Sequence, residues 1–219
     1  MTSFLTLNKE GILSAIILGV LLVLFGGSLW WLFLLLMLCF LIVSALVTAF
    51  KKKQKIAYGI YEGTRGWENV AANGVIPLII TMLYALRGYL GLNSSLLIFA
   101  FTASVAAITA DKFSSELGVL QKKAIMLFSM RKVNAGTSGA VSMLGFVAGF
   151  FGALIIGIVA FVLTGNVLLL ILSVVAGFFG DIVDSVFGYY EEKGVGNKYT
   201  TNILCSVSAA ILTMILLLL

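Results

Sequence analysis

Long apolar runs follow one another along almost the whole chain, and they constrain its fold more than any other feature. A helix needs about 20 apolar residues to cross the hydrocarbon core of a bilayer. We predict seven spanning helices, at residues 11–27, 29–50, 72–90, 95–111, 139–163, 166–188 and 201–219. The chain is 61% hydrophobic and 11% charged. A water-soluble domain has fewer apolar and more charged residues, so this composition indicates an apolar solvent around the protein. We therefore expect an all-α, polytopic membrane bundle of about seven helices.

The chain is predicted to form a single membrane domain over residues 1–219. Residues 1–55 hold two spans and a basic loop, residues 56–205 carry the polar motifs, and residues 201–219 form the last span. The first run lacks the basic segment and the Ala-x-Ala site of a signal peptide, so we expect it to be retained. The break between the first two runs, at 26–28, is the least distinct, and a re-entrant turn there would lower the number of spans.

Basic residues gather on one side of the predicted bundle. With seven spans, residues 1–10, 51–71, 112–138 and 189–200 share that side and hold 13 of the 14 Lys and Arg residues, all but Arg87. The positive-inside rule then places the N-terminus and these loops in the cytoplasm and the C-terminus outside. The acidic residues lie in or beside the same loops, which that rule does not demand. The sequence thus predicts one chemically active face, directed to the cytoplasm.

The first polar motif runs from Glu62 to Gly74 and enters the third span. Arg65, Asn69 and Asn73 are four residues apart, so a helix places them on one face, and Glu62 joins that face. An Arg in line with two carboxamides is rich in donors for a phosphate or a polar head group. The alternative is that the amides hold neighbouring helices together.

The second motif, Asp111-Lys112-Phe-Ser-Ser-Glu116, lies at the cytoplasmic end of the fourth span. Asp111 and Glu116 are candidate ligands for Mg²⁺, and Lys112 is a candidate phosphate contact. The alternative is an ordinary solvated helix end in which a serine acts as a cap.

The third motif carries a basic pair and a glycine-containing turn that feeds an apolar helix. Such a turn directs backbone N–H groups and the positive end of the helix dipole at an anion. The candidate phosphate contacts are Arg131, Lys132, Gly136, Thr137, Ser138 and Gly139, although the spacing is not that of a Walker A loop. The alternative is simple capping by Thr137 or Ser138. In the following helix, Gly145, Gly149 and Ala153 form a small-residue seam that we interpret as packing.

The fourth motif places two carboxylates in the sixth span. Asp181, Asp184 and Ser185 share one helix face, because they are spaced i, i+3 and i+4. Two carboxylates so close repel each other unless a cation or a proton lies between them, and acids within a span indicate function. Mg²⁺ bridging to phosphate is the simplest occupant, and a proton or Na⁺ site of a transporter is the rival interpretation.

Other metals and the basic run near residue 51 have simpler interpretations. The chain has no His, and its two cysteines, Cys39 and Cys205, lie in apolar runs, so a zinc or iron site is not expected. The run from Lys51 to Lys55 is predicted to set the topology and to touch anionic lipid, with no catalytic role.

Together the motifs offer paired acids, an anion-binding turn and basic donors at one membrane surface. A phosphotransfer enzyme acting on a lipid phosphate needs these groups, since its catalysis is mostly positioning and charge neutralisation. We expect the glycine-rich spans to leave a lateral groove for the lipid tail.

Four stretches resemble, in order, the integral-membrane phytyl-phosphate kinases of the plant vitamin E pathway and their archaeal and bacterial relatives. The stretches are Arg65–Gly74, Ala110–Gly118, Gly136–Gly145 and Gly180–Gly188. The resemblance covers roughly residues 60 to 205, whereas the first 55 residues are similar only in hydrophobicity. Lys112, Asp181 and Glu191 differ from the residues common in that family at these positions.

The resemblance implies transfer of a phosphoryl group from a nucleoside triphosphate, with CTP expected, to an isoprenoid monophosphate such as phytyl or geranylgeranyl phosphate. It implies that Asp111, Glu116, Asp181 and Asp184 handle Mg²⁺ and the nucleotide phosphates. It also implies a phosphate site lined by Asn69, Asn73, Gly136, Thr137 and Gly139.

Our hypothesis is therefore a cytoplasm-facing, Mg²⁺-dependent membrane kinase of isoprenyl monophosphates. Its catalytic residues are predicted to be Asp111, Lys112, Glu116 and Asp184, and its substrate contacts include Ser185. The expected partners are a nucleoside triphosphate, the isoprenyl phosphate and membrane lipid, with no nucleic acid. The alternatives are a CTP-dependent cytidylyltransferase acting on a lipid phosphate, and an ion-coupled transporter. A transporter typically has ionisable groups near the midplane and a repeat between its halves, and the sequence indicates neither.

Overall fold

The structure is a computed structural model that describes residues 6–57, 59, 61, 63–121, 123–134 and 136–219. The described residues form eight α-helices and three short β-strands. The helices are α1 Lys9–Phe25, α2 Trp30–Ala49, α3 Lys52–Ala57, α4 Trp67–Leu90, α5 Ser94–Gly118, α6 Met143–Thr164, α7 Val167–Glu191 and α8 Lys198–Leu218. The strands are β1 Lys123–Met126, β2 Lys132–Asn134 and β3 Ala140–Val141. The predicted all-α membrane bundle is confirmed.

Six of the described helices, α2 and α4 to α8, are long and apolar enough to cross a membrane. The first helix, α1, has 17 residues, which is about 26 Å of helix and lies at the lower limit for a span. A single 3₁₀ turn, Gly27–Leu29, separates α1 from α2, so the two predicted runs are distinct helices.

Helix α1 runs beside α4 in the same direction. At its start, the backbone N–H of Asn8 donates to the carbonyl of Arg65 at 3.0 Å. At its middle, a Cβ on Gly74 would lie 2.5 Å from the Leu18 side chain. Beyond its end, Gly27 lies next to the ring of Tyr84. Because these contacts follow one another in order, α1 extends from one end of α4 to the neighbourhood of the other.

Helix α5 forms the centre of the bundle. Its most apolar stretch is 83% buried, whereas the other five candidate spans are 39–44% buried. Small residues permit this, since a Cβ on Gly177 of α7 would lie 2.6 Å from the Cβ of Ala106 on α5. Close contact through glycine and alanine is the usual means by which membrane helices pack. Over this stretch, most side chains of α5 therefore face neighbouring helices.

Helix boundaries differ from the predicted ones in a way that matters for the motifs. Helix α4 begins at Trp67, not at residue 72, and α5 continues to Gly118, not 111. The amides of the first motif and the acids of the second therefore lie on regular helix. Helix α6 begins at Met143, so the glycine turn precedes it as a separate loop. Of the charged residues in these regions, Glu62 and Lys122 lie outside the described residues.

A small antiparallel sheet between α5 and α6 was not predicted. Its central strand β1 pairs with β2, where Lys123 is opposite Asn134, and with β3, where Ile125 is opposite Val141. Only Ser142, the N-cap of α6, separates β3 from that helix. The sheet is thus held at the end of the bundle where α6 begins.

The polar motifs meet at this same end of the bundle. The end of α5 packs on the start of α6, since a Cβ on Gly118 would lie 3.1 Å from the Cα of Gly145. The end of α5 also contacts the segment just before α4, through an ion pair between Glu116 and Arg65 at 2.8 Å. Arg87 lies near the other end of α4, over the ring of Tyr84 at 4.0 Å. One end of the bundle therefore carries the motif residues, as the charge pattern predicts.

Candidate functional site

A cavity of about 550 Å³ opens at the polar end of the bundle. It is bounded by the ends of α5 and α7, the starts of α6 and α8, and part of the sheet. The structure brings many of the predicted site residues together in its lining: Asp111, Gly136, Thr137, Ser138, Gly139, Asp181, Asp184 and Ser185. Parts of the second, third and fourth motifs therefore share one site.

Three carboxylates lie in this cavity. Asp111 comes from α5, and Asp181 and Asp184 come from the same face of α7. Each lies close enough to repel the other two, and Asp111 and Asp181 are only 7% and 4% exposed. Ser114 donates a hydrogen bond of 2.6 Å to Oδ1 of Asp181. Like charges held together with so little water favour the binding of a cation or a proton.

Asp184 has a carboxylate that the protein satisfies only in part. Its Oδ1 atom is buried and has no hydrogen-bond partner among the described residues. Thr201 and Lys198, at the start of α8, lie beside it. A buried carboxylate oxygen without a donor fits a metal ion, because bare anionic oxygen is the ligand that hard cations prefer.

The arrangement does not form a complete metal cage. In the described part of the chain, no three Asp, Glu, His or Cys side chains converge closely enough to surround one ion. Mg²⁺ usually binds proteins through one or two carboxylates and takes water or substrate phosphate oxygens as its other ligands. These carboxylates therefore suit Mg²⁺ that binds together with a nucleotide. They suit a permanently bound structural metal less well.

Glycines on α6 make room for the carboxylates of α7. A Cβ on Gly149 would overlap Oδ2 of Asp181, and a Cβ on Gly145 would lie 2.9 Å from the carbonyl oxygen of Ser114. Gly145, one residue of the seam that we interpreted as packing, therefore also lines the cavity. Without Gly149, the Asp181 carboxylate would have to move.

The glycine turn is seated on the end of α7. Gly136 and Gly139 have φ angles of 93° and 73°, in the left-handed region that favours glycine. A Cβ on Gly139 would lie 2.5 Å from the backbone nitrogen of Tyr189. The N–H of Ser138 donates to Oε1 of Glu192 at 2.8 Å, so one amide of this turn already binds an anionic oxygen. The turn is thus fixed beside the carboxylates with its backbone suited to anions.

Two helix N-termini also border the cavity. Ser142 caps α6, since its Oγ accepts from the N–H of Gly145 at 3.1 Å and donates to the carbonyl of Gly118 at 3.0 Å. Asn197 caps α8 through a reciprocal pair of hydrogen bonds with Thr200. Both N-termini bring partial positive charge to a site rich in carboxylates.

Sequence reasoning missed several residues that line the cavity: Ser114, Ser115, Gly118, Ser142, Lys198 and Thr201. One signal was available, because the Asn197–Thr200 capping pattern marks a helix start at Lys198 and not at residue 201. That start would have placed Lys198 and Thr201 in the first turn, beside the other motifs.

Lys112 and Glu116 belong to a different site, which we call the Glu116 cluster: Thr48, Lys55, Arg65, Lys112 and Glu116. Oε2 of Glu116 pairs with Lys55 at 2.6 Å, and Oε1 pairs with Arg65 at 2.8 Å and Lys112 at 2.7 Å. Thr48 adds a hydrogen bond to Oε1 at 2.7 Å. None of the five lines the aspartate cavity. The structure therefore does not bring Glu116 and Lys112 to the aspartates with which we had grouped them.

Lys55 departs from its predicted position on the membrane surface. Its side chain is fully buried, and its Nζ donates to the carbonyl of Val47 at 3.0 Å as well as to Glu116. The prediction of contact with anionic lipid is therefore wrong for Lys55. Lys51, Lys52 and Lys53 are exposed, as that prediction requires.

The remaining predicted phosphate contacts also lie outside the aspartate cavity. Asn69 and Asn73 border a second, apolar cavity of about 80 Å³ among α1, α2 and α4. Asn73 accepts a hydrogen bond of 3.3 Å from Asn202 of α8, which is the helix-joining role that we left open for these amides. Arg131 and Lys132 are exposed and do not line the cavity.

Comparison with known proteins gives a family. The chain matches the family described as "Integral membrane protein DUF92" over residues 2–214. It is 32% identical over 212 residues to an uncharacterized membrane protein of Methanocaldococcus jannaschii, covering 96% of this chain and 85% of that protein. No solved structure matches the chain significantly. The chain therefore belongs to the DUF92 family of integral membrane proteins.

Proposed function

We propose that this protein transfers a phosphoryl group from a nucleoside triphosphate to an isoprenyl monophosphate and gives the diphosphate. CTP is the proposed donor, and phytyl or geranylgeranyl phosphate is the proposed acceptor. One observation carries the proposal: a single cavity at the polar end of a membrane bundle combines three carboxylates with a glycine turn, a lysine and two helix N-termini.

Asp184 and one of its neighbours, Asp111 or Asp181, are the proposed ligands of Mg²⁺. The buried and unpaired Oδ1 of Asp184 supports this assignment, as does the electrostatic repulsion among the three carboxylates. Mg²⁺ supplies charge neutralisation for the nucleotide phosphates. Ser114 orients Asp181 through its 2.6 Å hydrogen bond.

The Gly136–Gly139 turn and Lys198 are the proposed contacts of the transferred phosphate. An oxygen of the isoprenyl monophosphate forms a bond to the γ-phosphorus, and the bond from that phosphorus to the β–γ bridging oxygen breaks. The nucleoside diphosphate leaves with the electron pair of that bond. A phosphate monoester is ionised near neutral pH, so the acceptor needs no general base, and positioning supplies most of the catalysis.

The polar end of the bundle is proposed to face the cytoplasm, where nucleoside triphosphates are available. The sequence assigns 13 of the 14 Lys and Arg residues to one side of the bundle, and this asymmetry supports the orientation. The acceptor phosphate would reach the cavity from the same leaflet.

The test is a turnover assay with purified protein in detergent. Geranylgeranyl or phytyl monophosphate is incubated with Mg²⁺ and each nucleoside triphosphate in turn, with Asp184→Asn protein as the control. We expect isoprenyl diphosphate and a nucleoside diphosphate in equal amounts, fastest with CTP, and no product from the variant. Removal of Mg²⁺ with a chelator should abolish the reaction, and added Mg²⁺ should restore it.

Other outcomes identify the competing activities. Release of pyrophosphate with a nucleotidyl-lipid product would point to a cytidylyltransferase that uses the same cavity. Absence of turnover with every donor would refute both enzyme activities. Movement of Na⁺ or protons by reconstituted vesicles, lost in Asp184→Asn, would then support a transporter.

A further inference from the structure

Phe146 connects the aspartate cavity to the outer surface of the bundle. It lines the cavity and is nevertheless 41% exposed. Its ring contacts that of Phe178 edge-on, with 4.7 Å between the centroids, and Phe178 lies 6.0 Å from Phe150. We call these three rings the aromatic groove. It joins α6 to α7 at the side of the bundle.

The groove leads away from the polar end, toward the interior of the membrane. Phe146 and Phe150 are one turn apart on α6, and Phe150 is the farther from the helix start. On α7, Ile182 lines the cavity and Phe178 lies one turn farther from the polar end. Val147 and Val175 beside the groove are 44% and 51% exposed, as residues that face lipid are. The three rings therefore run from the cavity wall along a partly exposed side of α6 and α7, away from the polar end.

We infer that the hydrocarbon chain of the lipid acceptor leaves the cavity sideways between α6 and α7, over the aromatic groove. The phosphate end would stay beside the aspartates and the glycine turn, while the chain would remain in apolar surroundings throughout. This inference rests on the proposed function for the identity of the acceptor. It adds the route of the chain and predicts selectivity for acceptors with a long apolar tail.

The chemistry of the groove fits a single isoprenoid chain. Aromatic rings offer an isoprenoid chain apolar contact, and Phe146 and Phe150 are exposed enough to provide it, at 41% each. The second cavity, near Asn69, is the rival route. It shares no described lining residue with the aspartate cavity, so a chain bound there would not start beside the carboxylates.

The first test requires binding only. The probe is geranylgeranyl monophosphate that carries a photoreactive diazirine on its tail. It is bound to the protein in detergent and the complex is irradiated. The modified peptides are then identified by mass spectrometry. We expect label on Phe146, Phe150 or Phe178, reduced by unlabelled geranylgeranyl monophosphate. Label confined to α1 and α2, or no label that the unlabelled lipid reduces, would overturn the inference. The turnover assay judges the proposed function separately, so the two failures are distinguishable.

The second test uses acceptor length. Phe146→Ala should lower the preference for geranylgeranyl over the five-carbon isopentenyl monophosphate by about tenfold, as loss of an apolar pocket contact does. The control is Phe161→Ala, on the same helix near its other end, where the ring is 38% exposed and lies outside the cavity lining. It should leave the preference unchanged. An equal change in both variants, or none in Phe146→Ala, would contradict the proposed route.

Discussion

Two faces of α5 place acids of one short motif in opposite surroundings. Asp111 and Ser114 face the aspartate cavity, whereas Lys112 and Glu116 face the Glu116 cluster. Asp111 lies near two further carboxylates, and Glu116 lies among three cations. Successive helical residues point about 100° apart, so neighbours in sequence reach different sites. Sequence proximity alone therefore does not assign two acids to one function.

The two sites differ in how completely the protein satisfies their carboxylate oxygens. In the Glu116 cluster both carboxylate oxygens have donors, and the cluster joins α2, α3, α5 and the segment that precedes α4. In the cavity an Asp184 oxygen lacks a donor among the described residues and the carboxylates repel one another. We expect the first site to contribute stability and the second to bind a ligand at some cost in stability.

Asp184→Asn should have the largest effect and test the cavity side of this comparison. Replacement removes the charge that we assign to Mg²⁺ and retains the shape, so turnover should fall by about a thousandfold. The fold should be retained, and heat denaturation in detergent should occur at an equal or higher temperature, because one repelling charge is gone. The assay measures isoprenyl diphosphate formation. The control variant is Glu10→Gln, which alters an exposed acid of α1. Wild-type turnover in Asp184→Asn would refute the metal role.

Glu116→Gln should reverse that pattern. It leaves the cations of the cluster without their carboxylate, so we expect a loss of about 3 kcal/mol in unfolding free energy, or roughly 10 °C in the denaturation midpoint. The protein that remains folded should keep most of its turnover. The measurement is a thermal scan in detergent together with activity per folded molecule. Full stability with lost activity would show that Glu116 belongs functionally with the aspartates.

Gly149→Ala tests whether α6 positions the carboxylate of Asp181. The added methyl group would overlap Oδ2, so Asp181 must shift, and we expect about a thirtyfold loss of turnover and a higher Mg²⁺ requirement. The matched control is Gly88→Ala on α4, where a Cβ meets nothing within 4 Å. Equal behaviour of the two variants would contradict the positioning role of Gly149.

Ser114→Ala should have the smallest effect of the four. It removes the 2.6 Å hydrogen bond to Asp181 but no charge, and loss of an orienting partner costs about tenfold in turnover or metal affinity. The Mg²⁺ dependence of the rate is the readout, since a purely structural role would not move it. Ser208→Ala, which removes a hydrogen bond within α8, is the control and should leave that dependence unchanged.

Much of the fold could be predicted because its signals are local. Apolar length indicates the spans, and spacing along one helix placed Asp181, Asp184 and Ser185 on the face that lines the cavity. The glycine turn could be predicted as well, since Gly136 and Gly139 adopt backbone angles that favour glycine. Periodicity and turn-forming residues are properties of short segments, so they can be recognised in a single sequence.

The parts that could not be predicted depend on which segments of the chain contact one another. The ion pair of Lys55 with Glu116 joins residues 61 positions apart, and nothing in the basic run distinguishes Lys55 from Lys53. The sheet pairs short strands whose register a single sequence specifies poorly. The predicted phosphate contacts of Arg131 and Lys132 failed for the same reason. The hairpin formed by β1 and β2 leaves both side chains exposed, away from the cavity.

The contact between Gly149 and Asp181 has a consequence for the evolution of this family. A side chain at position 149 would overlap the Asp181 carboxylate where the structure places it, so a change at one position affects the other. In relatives that carry a small residue at the position of Asp181, the counterpart of Gly149 should accept alanine or serine. Glycine at 149 leaves the third carboxylate its present place beside α6, so we expect substitutions at the two positions to be correlated.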